Sequence, residues 1–164
     1  MDAWNPKAIR AGAGAHFKVS IANSVPWSLL PKLLNPGCQV YLADNTSGPF
    51  GEQDPEKLRE LLAKCSPMKT DQEDLSYLEP EILAEFSQLP LPVISLENLP
   101  FSSNSAVILG GETHGLSAMA KKCAHEHLGA KLNIPLSNQI ESLNVACAAS
   151  IILYQFLFRH HKGK

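Results

Sequence analysis

Residues 132–158, LNIPLSNQIESLNVACAASIILYQFLF, decide the fold of this chain. The stretch begins as a short apolar strand, Leu132 to Leu136, and continues through a polar loop, Ser137 to Glu141. We predict a helix from Leu143 to Phe158 with Ser142 as its N-cap, because a serine hydroxyl can accept an unpaired first-turn N–H. This helix is apolar almost all round, so we expect it to be buried, either within the fold or against a second subunit.

Length and composition limit the number of domains and the classes of function that this chain can have. The 164 residues, 45% hydrophobic and 18% charged, suit one domain with a real core. A net charge of −2 argues against holding nucleic acid by bulk charge alone. A local basic patch stays open, since Lys121, Lys122, Lys131 and the tail Arg159 to Lys164 are close in sequence, although the tail equally suits a helix C-terminus. No apolar run is long enough for a membrane span, and we expect no membrane partner.

The cysteines and histidines do not indicate a metal site. None of the four cysteines belongs to a Cys-x-x-Cys pair, which is typical of a reduced, intracellular protein without a zinc knuckle. His125 and His127 alternate around Glu126, and on a helix that spacing does not place both rings on one face. We therefore predict that no metal is bound.

The first part of the chain alternates predicted helices and strands. Met1 to Phe17 reads as a small-residue helix with Pro6 at a favourable first position, and its interior character suggests a chain that begins in the middle of a fold. Lys18 to Ala22 is a strand candidate, Val25 to Leu34 a helix, and Cys38 to Ala43 a buried strand.

The middle of the chain carries little functional signal. Residues 45–92 are interpreted as a variable surface insertion, with helix candidates at Pro55 to Lys64 and Pro80 to Leu89. Val93 to Leu96 follows as a short strand or a sheet edge.

The last sixty residues alternate strand and helix, which indicates a parallel sheet. Ser105 to Gly111 is a second buried strand, and Ser117 can cap a helix from Ala118 to Glu126. In parallel sheets ligands bind at the carboxyl ends of the strands. Two loops, Gly110 to Leu116 and Leu136 to Asn144, follow such ends, so we expect them to form one site.

Each candidate side chain also has a plainer interpretation. Gly110 and Gly111 allow a ligand to approach the backbone or merely permit a tight turn. Glu112 could orient a polar substrate or stabilise a helix N-terminus, and His114 could act in proton transfer or lie exposed in the loop. Sequence patterns for phosphate cradles and for hydrolase chemistry (GxGxxG, Walker A, GxSxG, HExxH) do not occur.

Two stretches carry a recognisable pattern: residues 107–117 read VILGGETHGLS, and residues 133–155 read NIPLSNQIESLNVACAASIILYQ. They resemble the second and third motifs of the SpoU (TrmH-type) family of RNA ribose 2′-O-methyltransferases. The second motif is an apolar strand followed by Gly-x-Glu-x-x-Gly-Leu, and the third is Ile-Pro-Met, a short loop and Ser-Leu-Asn-Val before an Ala-rich helix. Residues 2–17 resemble the helix between the first and second motifs, and the chain is nearest to a mitochondrial branch that modifies large-subunit rRNA.

The resemblance implies an α/β fold, a mostly parallel sheet flanked by helices, with a C-terminal trefoil knot formed by residues 105–158. It implies that S-adenosylmethionine is held in the knot by backbone groups, which carry over to Gly110, Ile134 and Leu143. Polar residues of the family's site match Glu112, Ser142 and Asn144. We assign these three side chains substrate orientation and hydrogen bonding, not proton abstraction.

The resemblance further implies a homodimer with RNA, specifically rRNA, bound across the subunits, and a mitochondrial location. The reaction is attack of a ribose 2′-hydroxyl on the sulfonium methyl group. The family's first motif, with an Asn and a catalytic Arg, precedes the segment that residues 1–17 match, and Arg10 lies in a later helix. We therefore expect residues 1–164 to be a partial catalytic domain without its first strand–helix unit. A non-catalytic cofactor-binding or dimerising module is the alternative, and an α/β binding domain outside the family is the third.

Overall fold

The computed structural model describes residues 3–45, 80–100, 104–111, 115–137 and 142–162. They fall into two compact units, Met1–Leu33 and Leu34–Lys164, which are described separately.

The first unit begins with a short helix, α1 (Pro6–Ala11), that starts where the sequence predicts. The Asn5 side chain accepts the Lys7 N–H at 2.9 Å, and Pro6 occupies the first turn, where its missing N–H costs nothing. The helix does not continue to Phe17. Ala13 and Gly14 adopt positive φ values of 46° and 85°, and only a 3₁₀ turn over Ala15–Phe17 follows.

Two further predictions for this unit are wrong in extent or type. Residues 18–22 are not a strand, and no described strand pairs with them. The helix predicted from Val25 to Leu34 is regular only in α2 (Leu30–Leu33), after a turn in which the N–H groups of Leu29 and Leu30 bond to the Pro26 carbonyl. Pro31 has no N–H, so it cannot make the bond that would extend the helix backwards.

Among the described residues, the second unit is built on a four-stranded, all-parallel sheet in the order β2-β4-β1-β3. The strands are β1 (Gln39–Ala43), β2 (Val93–Ser95), β3 (Ser105–Leu109) and β4 (Ala130–Asn133). With its flanking helices it confirms the predicted α/β class. The trefoil knot stays a prediction.

The burial of the strands follows their position in the sheet. β1 and β4 are central, and Tyr41, Leu42 and Leu132 are at most 1% exposed. β2 is an edge strand, as the sequence allows. β3 is an edge strand as well, half-buried along its length with Leu109 exposed, so the prediction of a buried strand at 105–111 is wrong.

Two helices, α3 (Pro80–Ser87) and α4 (Ala118–Glu126), pack against each other. The α4 helix has the predicted bounds, and Ser117 Oγ accepts the Ala120 N–H at 3.2 Å as its cap. Phe86 and Leu91 are buried. These two side chains lie in the described part of the predicted surface insertion, which stays a prediction, and the helix predicted at 55–64 lies outside the described residues.

The last helix, α5 (Val145–Lys162), begins two residues later than predicted. Its N-cap is Asn144, because the Asn144 carbonyl accepts the Ala148 N–H and its side-chain oxygen accepts the Ala146 N–H, each at 2.9 Å. The prediction of Ser142 as the cap is wrong. The strand before it ends at Asn133 and not at Leu136, since Pro135 has no N–H to give to a ladder.

In the described part of the chain, one side of α5 packs against the core. Ile152 is fully buried, and the Phe156 ring lies 5.5 Å from the Tyr41 ring. The other side is apolar and open, with Leu153, Tyr154 and Leu157 61%, 67% and 56% exposed. The sequence predicts that this helix is buried within the fold or against a second subunit. The described residues bury one of its sides and leave the other exposed. Among the described residues, no helix has the length and hydropathy to cross a lipid bilayer.

Candidate functional site

A cavity of about 1020 Å³ lies at the carboxyl edge of the sheet. Its walls come from the ends of β1 and β3 and from the turn before α5. A smaller hollow of about 100 Å³ shares part of that wall and adds Leu132 and Ile134 from the end of β4. Ligands of parallel α/β sheets bind at this edge, so the cavity is the candidate site.

The structure brings most of the predicted site residues together. Gly110, Ser142, Leu143 and Asn144 line the larger cavity. Ile134 lines the smaller hollow together with Ser142 and Leu143. Glu112 lies outside the described residues. The two loops that the sequence predicts to form one site therefore do meet, while the role of each residue stays a prediction.

The loop after β3 folds back on itself and requires a glycine at its start. Gly111 and Gly115 exchange two backbone hydrogen bonds, of 3.1 and 2.9 Å. A Cβ on Gly110 would lie 2.6 Å from the Gly115 carbonyl carbon and 2.8 Å from its oxygen. Gly115 itself has a φ of 62°, which favours glycine. This wall of the cavity is therefore made of backbone.

Asn144 has a structural task that limits its chemistry. Its side-chain oxygen caps α5, so that oxygen is committed to a helix N–H. One lone pair of that oxygen remains, and the amide nitrogen can only donate. If Asn144 orients a substrate, its amide nitrogen supplies a hydrogen-bond donor.

Three polar residues of the cavity wall were missed by sequence reasoning: Asp44, Asn45 and Lys121. The first two follow β1 directly, so the rule that ligands bind at carboxyl ends applies to them as it does to Gly110. We did not apply that rule to Asp44 and Asn45, because their polar composition indicated a loop and residue 45 was assigned to a surface insertion. Lys121 was noted only as part of a basic cluster.

These three side chains are held by specific contacts. Asp44 Oδ2 lies 3.0 Å from Lys131 Nζ, and both side chains are only about 14% exposed. Asn45 Oδ1 accepts the Ile134 N–H at 3.1 Å. Lys121 Nζ donates to the Ser87 carbonyl at 3.1 Å, which places a positive charge on the wall of the cavity.

The ionisable groups of the core do not supply a nucleophile to this cavity. Burial raises the pKa of the Cys123 thiol to about 11 and that of the Tyr41 hydroxyl to about 12, so both stay protonated at neutral pH. Within the described ranges, no group of three or more His, Cys, Asp or Glu side chains could hold a metal ion. The cavity wall combines apolar side chains, backbone groups and a few polar or charged side chains, which is typical of a small-molecule site.

Comparison with known proteins gives the following likenesses. Residues 75–154 match the SpoU rRNA Methylase family. The chain is 35% identical to the Xenopus laevis protein named rRNA methyltransferase 3, mitochondrial, over 94% of this chain and 39% of that one. It is 34% identical to the Homo sapiens protein of the same name, over 94% of this chain and 37% of that one.

A bacterial relative matches a shorter segment. The 23S rRNA (guanosine-2′-O-)-methyltransferase RlmB of Xylella fastidiosa (strain Temecula1 / ATCC 700964) is 38% identical over 61 residues, which is 37% of this chain and 23% of that protein. The chain thus spans about two-fifths or less of the length of these curated relatives.

Proposed function

Because the chain belongs to the SpoU rRNA methylase family, we propose that it works as an RNA methyltransferase that moves a methyl group from S-adenosylmethionine to a ribose 2′-hydroxyl. We further propose large-subunit rRNA as the substrate and the mitochondrion as the location, because relatives alike over 94% of this chain are named mitochondrial rRNA methyltransferases. The observation that carries the proposal is that Gly110 and Leu143 line one cavity at the carboxyl edge of a parallel sheet.

The size and lining of the cavity support the proposal of a bound methyl donor. Its volume of about 1020 Å³ is at the upper end of small-molecule sites, which leaves room for donor and substrate together. Gly110 lines the cavity with its backbone, because the space that a side chain would fill is taken by the backbone of Gly115 and Leu116. Under this proposal the backbone of Gly110, Ile134 and Leu143 holds the donor.

The chain's own residues position the reactants. S-adenosylmethionine, when bound, supplies a reactive methyl group on a sulfonium sulfur. Ser142, exposed at the mouth of the cavity, and the Asn144 amide hydrogen-bond to the substrate and orient the ribose hydroxyl. Glu112, in the loop beyond Gly111, is assigned to the same task. Holding two reactants in line is a large part of catalysing such a transfer.

Methyl transfer can be measured directly with labelled donor and mitochondrial rRNA. We expect label in the RNA, and we expect the modified position to resist alkaline cleavage, because a methylated 2′-oxygen cannot attack the neighbouring phosphate. Asn144→Asp keeps the oxygen that caps α5 and removes the donating amide, so it should slow transfer by about a hundredfold at unchanged stability.

The exposed residue Asn98, which lies away from the cavity, provides the matched control, and Asn98→Ala should transfer at the wild-type rate. An unchanged rate in Asn144→Asp would rule out its assignment. Label on a base in place of the ribose would overturn the proposed reaction. Donor binding without any transfer would favour the alternative, a non-catalytic cofactor-binding or dimerising module.

The open side of α5 supports a homodimer. Several large apolar side chains lie on this one side and are 40% or more exposed: Ile151, Leu153, Tyr154, Leu157 and Phe158. A contiguous apolar surface of this kind marks an interface more often than a free surface. We propose that a second copy of the chain covers it about a two-fold axis, with RNA bound across the subunits.

A charge placed on this surface tests the dimer. We expect Leu153→Asp with Leu157→Asp to convert the dimer to a monomer in sedimentation velocity, because two carboxylates would be buried without partners. Leu128→Asp, at a position 39% exposed on another element, is the control and should leave the dimer intact. A wild-type chain that sediments as a monomer at micromolar concentration would contradict the homodimer.

A further inference from the structure

The ladder between β1 and β4 ends in an unusual way. Ala43 pairs with Leu132, and the Asp44 N–H donates to the Leu132 carbonyl at 3.1 Å, which continues the parallel pattern by one step. In a regular parallel ladder, the residue that donates to Leu132 would next accept from the Ile134 N–H with its own carbonyl. Here the Ile134 N–H donates instead to the side-chain oxygen of Asn45, at 3.1 Å.

Asn45 therefore replaces a backbone acceptor with a side-chain acceptor. Because the acceptor is a side chain, the main chain can turn away from β4 after Asp44 while the end of β4 remains hydrogen-bonded to it. The following residue, Pro135, has no N–H, so the Ile134 amide is the last backbone donor through which this end of β4 can be held before Leu136. The bond to Asn45 consequently fixes the point at which the loop toward α5 begins.

This bond lies at the candidate donor site. Asn45 lines both the larger cavity and the smaller hollow, and Ile134 lines the smaller one beside Leu143. Next to it, the ion pair between Asp44 and Lys131 spans the same two strands with side chains that are mostly buried. The end of β1 is thus tied to β4 at Lys131 and again at Ile134, where the proposed donor-binding backbone starts.

We propose that Asn45 is a positioning residue of the methyl-donor site, acting through the backbone of Ile134. This inference rests on the proposed function. Asn45 holds the Ile134 peptide, and with it the path of the chain toward Leu143, in the conformation that binds S-adenosylmethionine. Without that bond the partly buried Ile134 N–H loses its acceptor and the strand end can shift into the hollow.

Two variants of Asn45 separate positioning from simple stability. Asn45→Ala removes the acceptor and should weaken donor binding in calorimetry by about tenfold, the expected effect of leaving one amide unsatisfied. Asn45→Asp keeps an oxygen at the same place, so it should restore affinity to within about threefold of wild type. Asn98→Ala, at an exposed asparagine outside both hollows, is the matched control and should bind the donor as wild type does.

Hydrogen exchange provides a readout that does not need the donor. In the unliganded full chain, the Ile134 amide should exchange faster in Asn45→Ala than in wild type or Asn45→Asp. The Asp44 amide, which bonds to Leu132 in all three, serves as the internal reference. Faster Ile134 exchange, weaker donor binding and recovery of both in Asn45→Asp together would establish the positioning role.

Other results would overturn the inference. Unchanged donor affinity in Asn45→Ala despite faster exchange would show that the bond holds the strand but not the site. Loss of affinity in Asn45→Asp with a still-protected Ile134 amide would show that the Asn45 amide contacts the ligand directly. If wild type does not bind the donor although its Ile134 amide is protected, the proposed function itself fails and the donor role of Asn45 fails with it.

Discussion

Gly129→Ala is expected to unfold the second unit or leave it barely stable. Gly129 lies between the end of α4 and the start of β4, and its N–H donates to the Ala124 carbonyl at 2.8 Å. A Cβ there would overlap the Val40 carbonyl oxygen and lie 2.7 Å from the Ala124 oxygen. Both neighbours are backbone atoms, so no side chain can rotate away, and β4 would have to separate from central β1.

The cost of this overlap is large relative to the stability of a domain. Overpacking in a core costs about 1–3 kcal/mol, and a clash with backbone at the centre of a sheet belongs at or above that range. Folded domains are stable by only about 5–15 kcal/mol. The free energy of unfolding, measured in urea, should therefore fall by about 3 kcal/mol or more.

Gly111→Ala provides the matched control for Gly129→Ala. A Cβ on Gly111 meets nothing within 4 Å, and its φ is not in the left-handed region, so the unfolding midpoint should stay close to that of wild type. If Gly129→Ala and Gly111→Ala unfold at the same urea concentration, the close packing of β4 against β1 described here is wrong.

Gly110→Ala is expected to abolish measurable donor binding while leaving the fold in place. The added Cβ would lie 2.6 to 2.9 Å from backbone atoms of Gly115 and Leu116, which forces the loop after β3 to open. That loop is at the surface of an edge strand, so it can move without disrupting the central strands. The displaced backbone is the one to which the proposal assigns the donor, and calorimetry should show at least a hundredfold loss of affinity, in line with the sensitivity of such sites to small displacements.

The stability of Gly110→Ala decides how its loss of binding is interpreted. Its urea midpoint should stay within the range of Gly111→Ala, and the amides of Gly111 and Gly115, which bond to each other, should exchange faster. Wild-type affinity in Gly110→Ala would remove Gly110 from the donor site. Global unfolding would instead show that the loop supports the sheet, contrary to its place beside an edge strand.

The parts of the fold that sequence reasoning predicted correctly depend on local interactions. The bounds of α4 follow from Ser117, whose hydroxyl reaches an N–H three residues away. α1 likewise starts at Asn5 and Pro6. For α5, Ser142 and Asn144 are both good caps only two residues apart, and composition alone does not choose between them. The structure uses Asn144, the residue adjoining the first helical position.

What the sequence could not show depends on contacts between distant residues. The apolar run 105–109 looks the same whether the strand is central or at an edge, because burial is set by neighbours elsewhere in the chain. Asn45 is one asparagine in a polar loop until the register of β1 against β4 brings it to Ile134. The loops Gly110 to Leu116 and Leu136 to Asn144 were predicted as a site because each follows the end of a strand. The residues after β1 were not predicted, because their polar composition led us to assign them to a surface loop.

The strand order has a consequence for how the protein is made. Among the four described strands, none pairs with the strand next to it in the chain: β1 pairs with β3 and β4, and β2 pairs with β4. Each of these pairings closes a long loop, and loop closure of this kind slows folding. On the ribosome, the nascent chain cannot complete this sheet until Asn133 has emerged, and until then the edge of β1 that pairs with β4 stays unpaired.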